Sequence, residues 1–321
     1  MVSVGLVLGG GGVTGASFHF GTLLALEMAT GWSPKSADVI IGTSCGSFVA
    51  AMIRHGQLDI ETFVGESRTQ SAMTDRLRSK VYRKARPRGF GRWIKSGILP
   101  ALKHRPDLSL VLGSPGIYRT DGLVEWVEDS IGDAADGWPE APTVIVAYDL
   151  KTRQRAPFGT TALPDVPIKM AVAASSAVPL VFDPVEIDGR WYVDGGVASG
   201  TSADLVLAHP DPLDLVIVIA PLASETKRSG ARFYESMFDR AGKSALEAEL
   251  EMIHHKWPTT DVLVLRPDED VMKVTRPNPM AIGNAVPAFL TTLGSMDTEL
   301  ARPEVWSILR RHLVTEPVAD R

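Results

Sequence analysis

Apolar residues follow two rhythms along the chain. Short unbroken aliphatic runs occur at residues 2–8 (VSVGLVL), 39–41 (VII), 143–148 (TVIVAY), 215–219 (LVIVI) and 262–265 (VLVL). Runs of this length, rich in β-branched residues and flanked by glycine or polar residues, predict buried strands of a parallel sheet. Between them, apolar residues spaced three and four apart predict helices up to Gly31, over 48–53, over 122–131 behind a Thr120 or Asp121 cap, over 168–174, over 231–255 and over 285–312. Shorter helices are predicted over 59–71 and 74–82. Residues 155–158 read as an antiparallel neighbour of 143–148. Residues 185–187 and 191–193 read as a hairpin turning at Asp188-Gly189-Arg190. Strands alternating with helices imply an α/β layer architecture.

Composition narrows the class. Of 321 residues, 45% are hydrophobic and 22% charged, as in an ordinary globular protein. No apolar run approaches the ~18 residues of a membrane span, and no basic leader precedes the first strand, so a cytoplasmic protein is expected. The single cysteine, Cys45, excludes an internal disulfide and a cysteine metal cluster.

Charge is unevenly placed. Residues 76–106 hold eleven Lys or Arg and no acidic residue, within a chain of net charge −5. Tyr82, Phe90 and Trp93 interleave with Arg83, Lys84, Arg86, Arg88, Arg92 and Lys95, and Pro and Gly break the stretch up. A basic face is usually only solvated. Aromatics between the charges favour a lid-like segment that meets an anionic membrane peripherally, and no motif for nucleic acid accompanies it.

Candidate chemistry begins at residues 39–47, VIIGTSCGS. A strand, the pentapeptide Gly42-Thr43-Ser44-Cys45-Gly46 and a helix form the context in which Gly-x-Ser-x-Gly makes a nucleophile elbow, with Ser44 at the positive end of the helix dipole. The first strand likewise runs through Gly9, Gly10, Gly11 and Gly12 to Gly15 and into a helix. Such a loop presents backbone N–H groups that bind negative charge. Gly10 to Gly15 also fits a dinucleotide fingerprint, but that fingerprint wants an acidic residue at the end of the next strand, and Asp38 stands before it. An oxyanion hole serving Ser44 accounts for both loops.

Three stretches together resemble the patatin-like phospholipase family: LVLGGGGVTGA its glycine-rich oxyanion loop, IIGTSCGSFVAA its elbow, and WYVDGGV its Asp-Gly-Gly motif. The stretch AASSAVPLVFDPVEIDG is similar to the residues before that aspartate. The resemblance covers about residues 4–222 and implies a three-layer α/β/α fold with a mainly parallel central sheet. Residues 1–222 would be the catalytic domain, with the basic insertion at about 76–106, and 223–321 an α/β extension packed on it. It implies a serine acyl hydrolase without cofactor or metal, acting on a lipid or other acyl ester. Ser44 maps to the nucleophile, Asp194 to its base, and Gly10, Gly11 and Gly12 to the oxyanion hole, with Gly15, Gly42, Gly46, Gly195 and Gly196 shaping the turns. Two departures stand out. Thr14 occupies the place where the family usually has Arg or Lys, and Val197-Ala198 follow Asp-Gly-Gly where Asn and Pro are common. A Ser-His-Asp triad using His254, His255 or His312 is the rival mechanism, and a catalytically silent lipid-binding protein is the rival from another class.

Overall fold

A computed structural model describes residues 2–57, 75, 78–79, 81–85, 112, 114–163, 165–224, 233–275 and 278–314. The fold is a three-layer α/β/α arrangement built on a mixed, mostly parallel sheet. Its contacts group into two compact units, Met1–Ile41 with Thr201–Arg321, and Gly42–Gly200.

In the first unit, β1 (Val4–Leu8) pairs in parallel with β7 (Leu215–Ile219), which pairs in parallel with β8 (Asp261–Leu265). Every residue of β1 and β7 is buried, which is why both read as unbroken aliphatic runs. Helix α1 (Gly12–Thr30) follows β1 and stops at Gly31, whose positive φ turns the chain and returns its N–H to the Glu27 carbonyl. Asp38 is consumed structurally: its carboxylate accepts the Val4 N–H at 2.6 Å, at the end of β1 opposite the glycine loop. It therefore occupies no position from which a dinucleotide ribose is bound.

This unit also holds the helices α5 (Phe233–Lys256), α6 (Glu269–Thr275), α7 (Ala285–Leu300) and α8 (Pro303–His312). Apolar periodicity predicts one helical stretch over 285–312. The chain instead breaks at Ala301-Arg302, because Pro303 has no N–H to continue a ladder and starts a new helix at its first position. The seven-residue α6 was not foreseen.

In the second unit, β3 (Thr143–Asp149) pairs antiparallel with β4 (Gln154–Phe158) on one side and β6 (Arg190–Asp194) on the other, and β6 closes a hairpin with β5 (Val185–Ile187). Helices α2 (Cys45–Arg54), α3 (Asp121–Ile131) and α4 (Ile168–Ser175) accompany them. Phe48 of α2 meets Trp126 of α3 with ring centroids 4.5 Å apart. Strand β2 (Val39–Thr43) carries the chain from the first unit into the second and delivers Ser44. No described helix is long and apolar enough to cross a membrane.

Candidate active site

The elbow is set by a close approach. A Cβ on Gly42 would lie 2.6 Å from the Gly46 carbonyl oxygen and from the Ser47 Cα, so the strand can fold back onto its helix only with glycine there. Ser44, at the N-cap of α2, takes φ 55° and ψ −126°, a conformation that costs a non-glycine residue on the order of 1–3 kcal/mol. The surroundings over-determine it. The Ser44 carbonyl accepts the Ser47 N–H at 2.9 Å and the hydroxyls of Ser47 and Ser176 at 2.6 and 3.2 Å. The Ser44 N–H donates at 2.9 Å to Oγ of Ser175, whose own hydroxyl donates at 2.6 Å to the Val146 carbonyl.

Asp194 ends β6, opposite Ala147 of β3. Its Oδ2 accepts the Ser44 hydroxyl at 2.6 Å, and its Oδ1 accepts the Gly196 N–H at 2.7 Å. Its own N–H donates to the Ala177 carbonyl at 3.0 Å. Both side chains are buried, Ser44 at 7% exposure and Asp194 at 5%. Burial pushes the Asp194 carboxyl up to about 6, against the opposing pull of the Ser44 and Gly196 hydrogen bonds. A carboxylate of that basicity, sharing the proton of a strained serine hydroxyl at a helix N-terminus, can activate a nucleophile near neutral pH.

The glycine loop lies in the other unit. The Gly9 N–H extends the sheet ladder to the Ile219 carbonyl at 2.9 Å, and the first bond of α1 runs from the Gly15 N–H to the Gly11 carbonyl. The amides of Gly11 and Gly12 thus precede the helix's own ladder. Gly12 has φ +64°, and a Cβ there would lie 2.8 Å from both the Met280 sulfur and the Pro279 carbonyl oxygen. Thr14 is buried, donates its N–H to Pro279 at 3.0 Å and directs its hydroxyl to the carbonyls of Thr275 and Pro279. The Thr14 hydroxyl thus ties the loop to the C-terminal part of the chain, which carries no sequence motif.

A match to the family model described as Patatin-like phospholipase runs over residues 6–207, most of the chain. The chain belongs to the patatin-like phospholipase family. An uncharacterized NTE family protein of Mycobacterium tuberculosis is 28% identical over 218 residues, 64% of this patatin-like chain and 48% of the relative. The chain thus spans about half the length of that curated relative. A probable lipid hydrolase of Invertebrate iridescent virus 6 is 21% identical over 72% of this chain and 74% of its own length. Among solved structures, human GIVD cytosolic phospholipase A2 aligns with 97% of this chain and 63% of its own at 11% identity, with a TM-score of 0.48.

The remaining residues singled out in the sequence have other surroundings. Arg83 makes a two-pronged pair with Glu125, both contacts 2.6 Å, and Lys84 is exposed in an isolated bridge to Tyr118. Arg86, Arg88, Phe90, Arg92, Trp93 and Lys95 lie outside the described residues. Tyr82 packs with Tyr118 and Phe182, ring centroids 5.0 and 5.9 Å away, and burial lifts its hydroxyl to about 12. His312 is held by Asp261 at 2.7 Å, and His254 and His255 are exposed near the end of α5. Ser175 and Ser176 have no role that the sequence assigns, although a serine pair closing an apolar helix is a usable signal. The same holds for His19, a polar residue between two phenylalanines.

Proposed function

We propose that the protein is a serine acyl hydrolase that cleaves fatty acyl esters of lipids with a Ser-Asp dyad. The observation that carries this reading is the 2.6 Å hydrogen bond between the Ser44 hydroxyl and a buried, unusually basic Asp194 carboxylate. Ser44 Oγ attacks the ester carbonyl while its proton passes to Asp194 Oδ2. The tetrahedral oxyanion is met by amides of Gly10, Gly11 and Gly12, where loss of a single donor typically costs about 3 kcal/mol. Collapse of the intermediate breaks the ester C–O bond, and Asp194 returns the proton to the departing alcohol. Water then attacks the acyl-Ser44 carbonyl, giving its proton to Asp194, and the second collapse frees the fatty acid and restores the serine.

Residues 1–222 form the catalytic domain in this proposal, and 223–321 an extension packed on it whose Pro279 carbonyl supports the loop. The basic segment 76–106 meets anionic lipid peripherally, with the enzyme in the cytoplasm. Arg83, within that segment, is already paired with Glu125.

Turnover of short- and long-chain acyl esters by the wild type and by Ser44→Ala tests the proposal. Hydrolysis that disappears with the serine hydroxyl supports it. Liposome binding without any turnover would replace it with a lipid-binding role for the same fold.

A further inference from the structure

His19 is buried completely in the second turn of α1, an expensive place for an imidazole unless it is partnered. Its Nε2 lies 2.7 Å from the Gly9 carbonyl oxygen. A carbonyl only accepts, so Nε2 carries the hydrogen and Nδ1 is bare, and Nδ1 has no partner among the described residues. Burial lowers the ring's pKa to about 4, consistent with a neutral imidazole held in one tautomer.

Gly9 is therefore fixed at both of its backbone groups: N–H on the sheet through Ile219, C=O on the helix through His19. The peptide joining Gly9 to Gly10 is planar and trans, so its C=O and N–H point in opposite directions. Drawing the Gly9 carbonyl inward to His19 turns the Gly10 N–H the other way. Consecutive glycines leave this peptide free to flip at little steric cost. Downstream, the Thr14 N–H on Pro279 and the Gly15 N–H on Gly11 fix the far side of the loop.

We infer that His19 is a positioning residue that aims the Gly10 amide at the oxyanion by holding the Gly9 carbonyl. This inference rests on the Ser-Asp hydrolase reading above. His19 touches neither substrate nor reacting atoms; it acts through one peptide plane.

The test compares His19→Gln, whose amide NH₂ reaches as far as Nε2, with His19→Asn, whose shorter amide does not, in the full chain on a soluble acyl ester. Fluorophosphonate titration counts the competent sites, so that kcat is expressed per folded enzyme. The expected result is a kcat within about fivefold of wild type for Gln and a fall of roughly 10- to 100-fold for Asn, with KM moving less than about threefold in both. A misaimed donor should cost less than the 10²–10³ seen when a donor is deleted. Equal kcat per site in the two variants, or Asn matching the wild type, overturns the inference even where thermal stability has dropped. A wild type that neither labels nor turns over would instead reject the hydrolase reading on which the inference stands.

Discussion

The Ser44 hydroxyl donates to Asp194 Oδ2 at 2.6 Å across 150 residues of chain. Each partner is delivered by the end of a strand, Ser44 by β2 and Asp194 by β6, and each is locked by backbone hydrogen bonds independent of the other. The pair is thus pre-aligned, and in the dyad we propose the proton state of one carboxylate governs reactivity.

That dependence sets a pH profile. Asp194 accepts a proton only when ionised, and burial has raised its pKa to about 6. We predict that kcat/KM rises with pH through about 6 and levels above it. In Ser44→Ala, the loss of the hydrogen bond that favours the carboxylate moves the carboxyl higher still. NMR titration of the Asp194 carboxyl in the wild type and this variant checks the direction.

Asp194→Asn trades activity for stability. A folded pKa of about 6 against an unfolded 3.8 means the native state binds the extra proton, so this group's contribution to stability falls as pH rises from about 4 to about 6 and stays low above. The shift corresponds to roughly 3 kcal/mol, from which the hydrogen bonds lost by Asn subtract. Activity should drop by about 10²- to 10⁴-fold, the range for a positioned general base. Urea unfolding at pH 4.5 and pH 8 should show the variant gaining on the wild type at the higher pH.

His19 contributes with the opposite sign. Its folded pKa of about 4 lies below the ordinary imidazole value of 6.5, so the unfolded chain takes up the proton first and stability is lost as pH falls from about 6.5 to about 4. His19→Gln removes that slope. Unfolding free energies measured across this window in both proteins test it.

Ser175→Ala leaves both the Ser44 N–H and the Val146 carbonyl without their partner inside a buried site. We expect a loss of about 1–3 kcal/mol in stability. We also expect a fall in kcat of roughly tenfold or more, because a nucleophile displaced by a fraction of an ångström loses its attack geometry. Chemical denaturation and steady-state kinetics separate the two effects.

What could be read from the sequence was what neighbouring residues determine. Gly42 and Gly46 around Ser44 define a tight local turn that the spacing shows, whereas Asp194 with Gly195 and Gly196 stands out only through the resemblance of WYVDGGV to a family motif. The buried strands were legible because β1 and β7 are apolar on every residue. Ser175 and His19 act on backbone groups of other elements, Ser44 and Val146 in one case and Gly9 in the other, and no local pattern encodes those contacts. The same holds for Thr14, whose partners stand more than 260 residues away. The boundary between α7 and α8 was different: Pro303 announced it, and the helical periodicity across 285–312 obscured it.

The most direct measurement is fluorophosphonate labelling with peptide mass spectrometry on the wild type and Asp194→Asn. We predict a phosphonate adduct on Ser44, formed at least a hundredfold faster in the wild type than in the folded variant. Labelling of Ser44 at the same rate in both proteins, or an adduct on a different serine, would contradict the dyad.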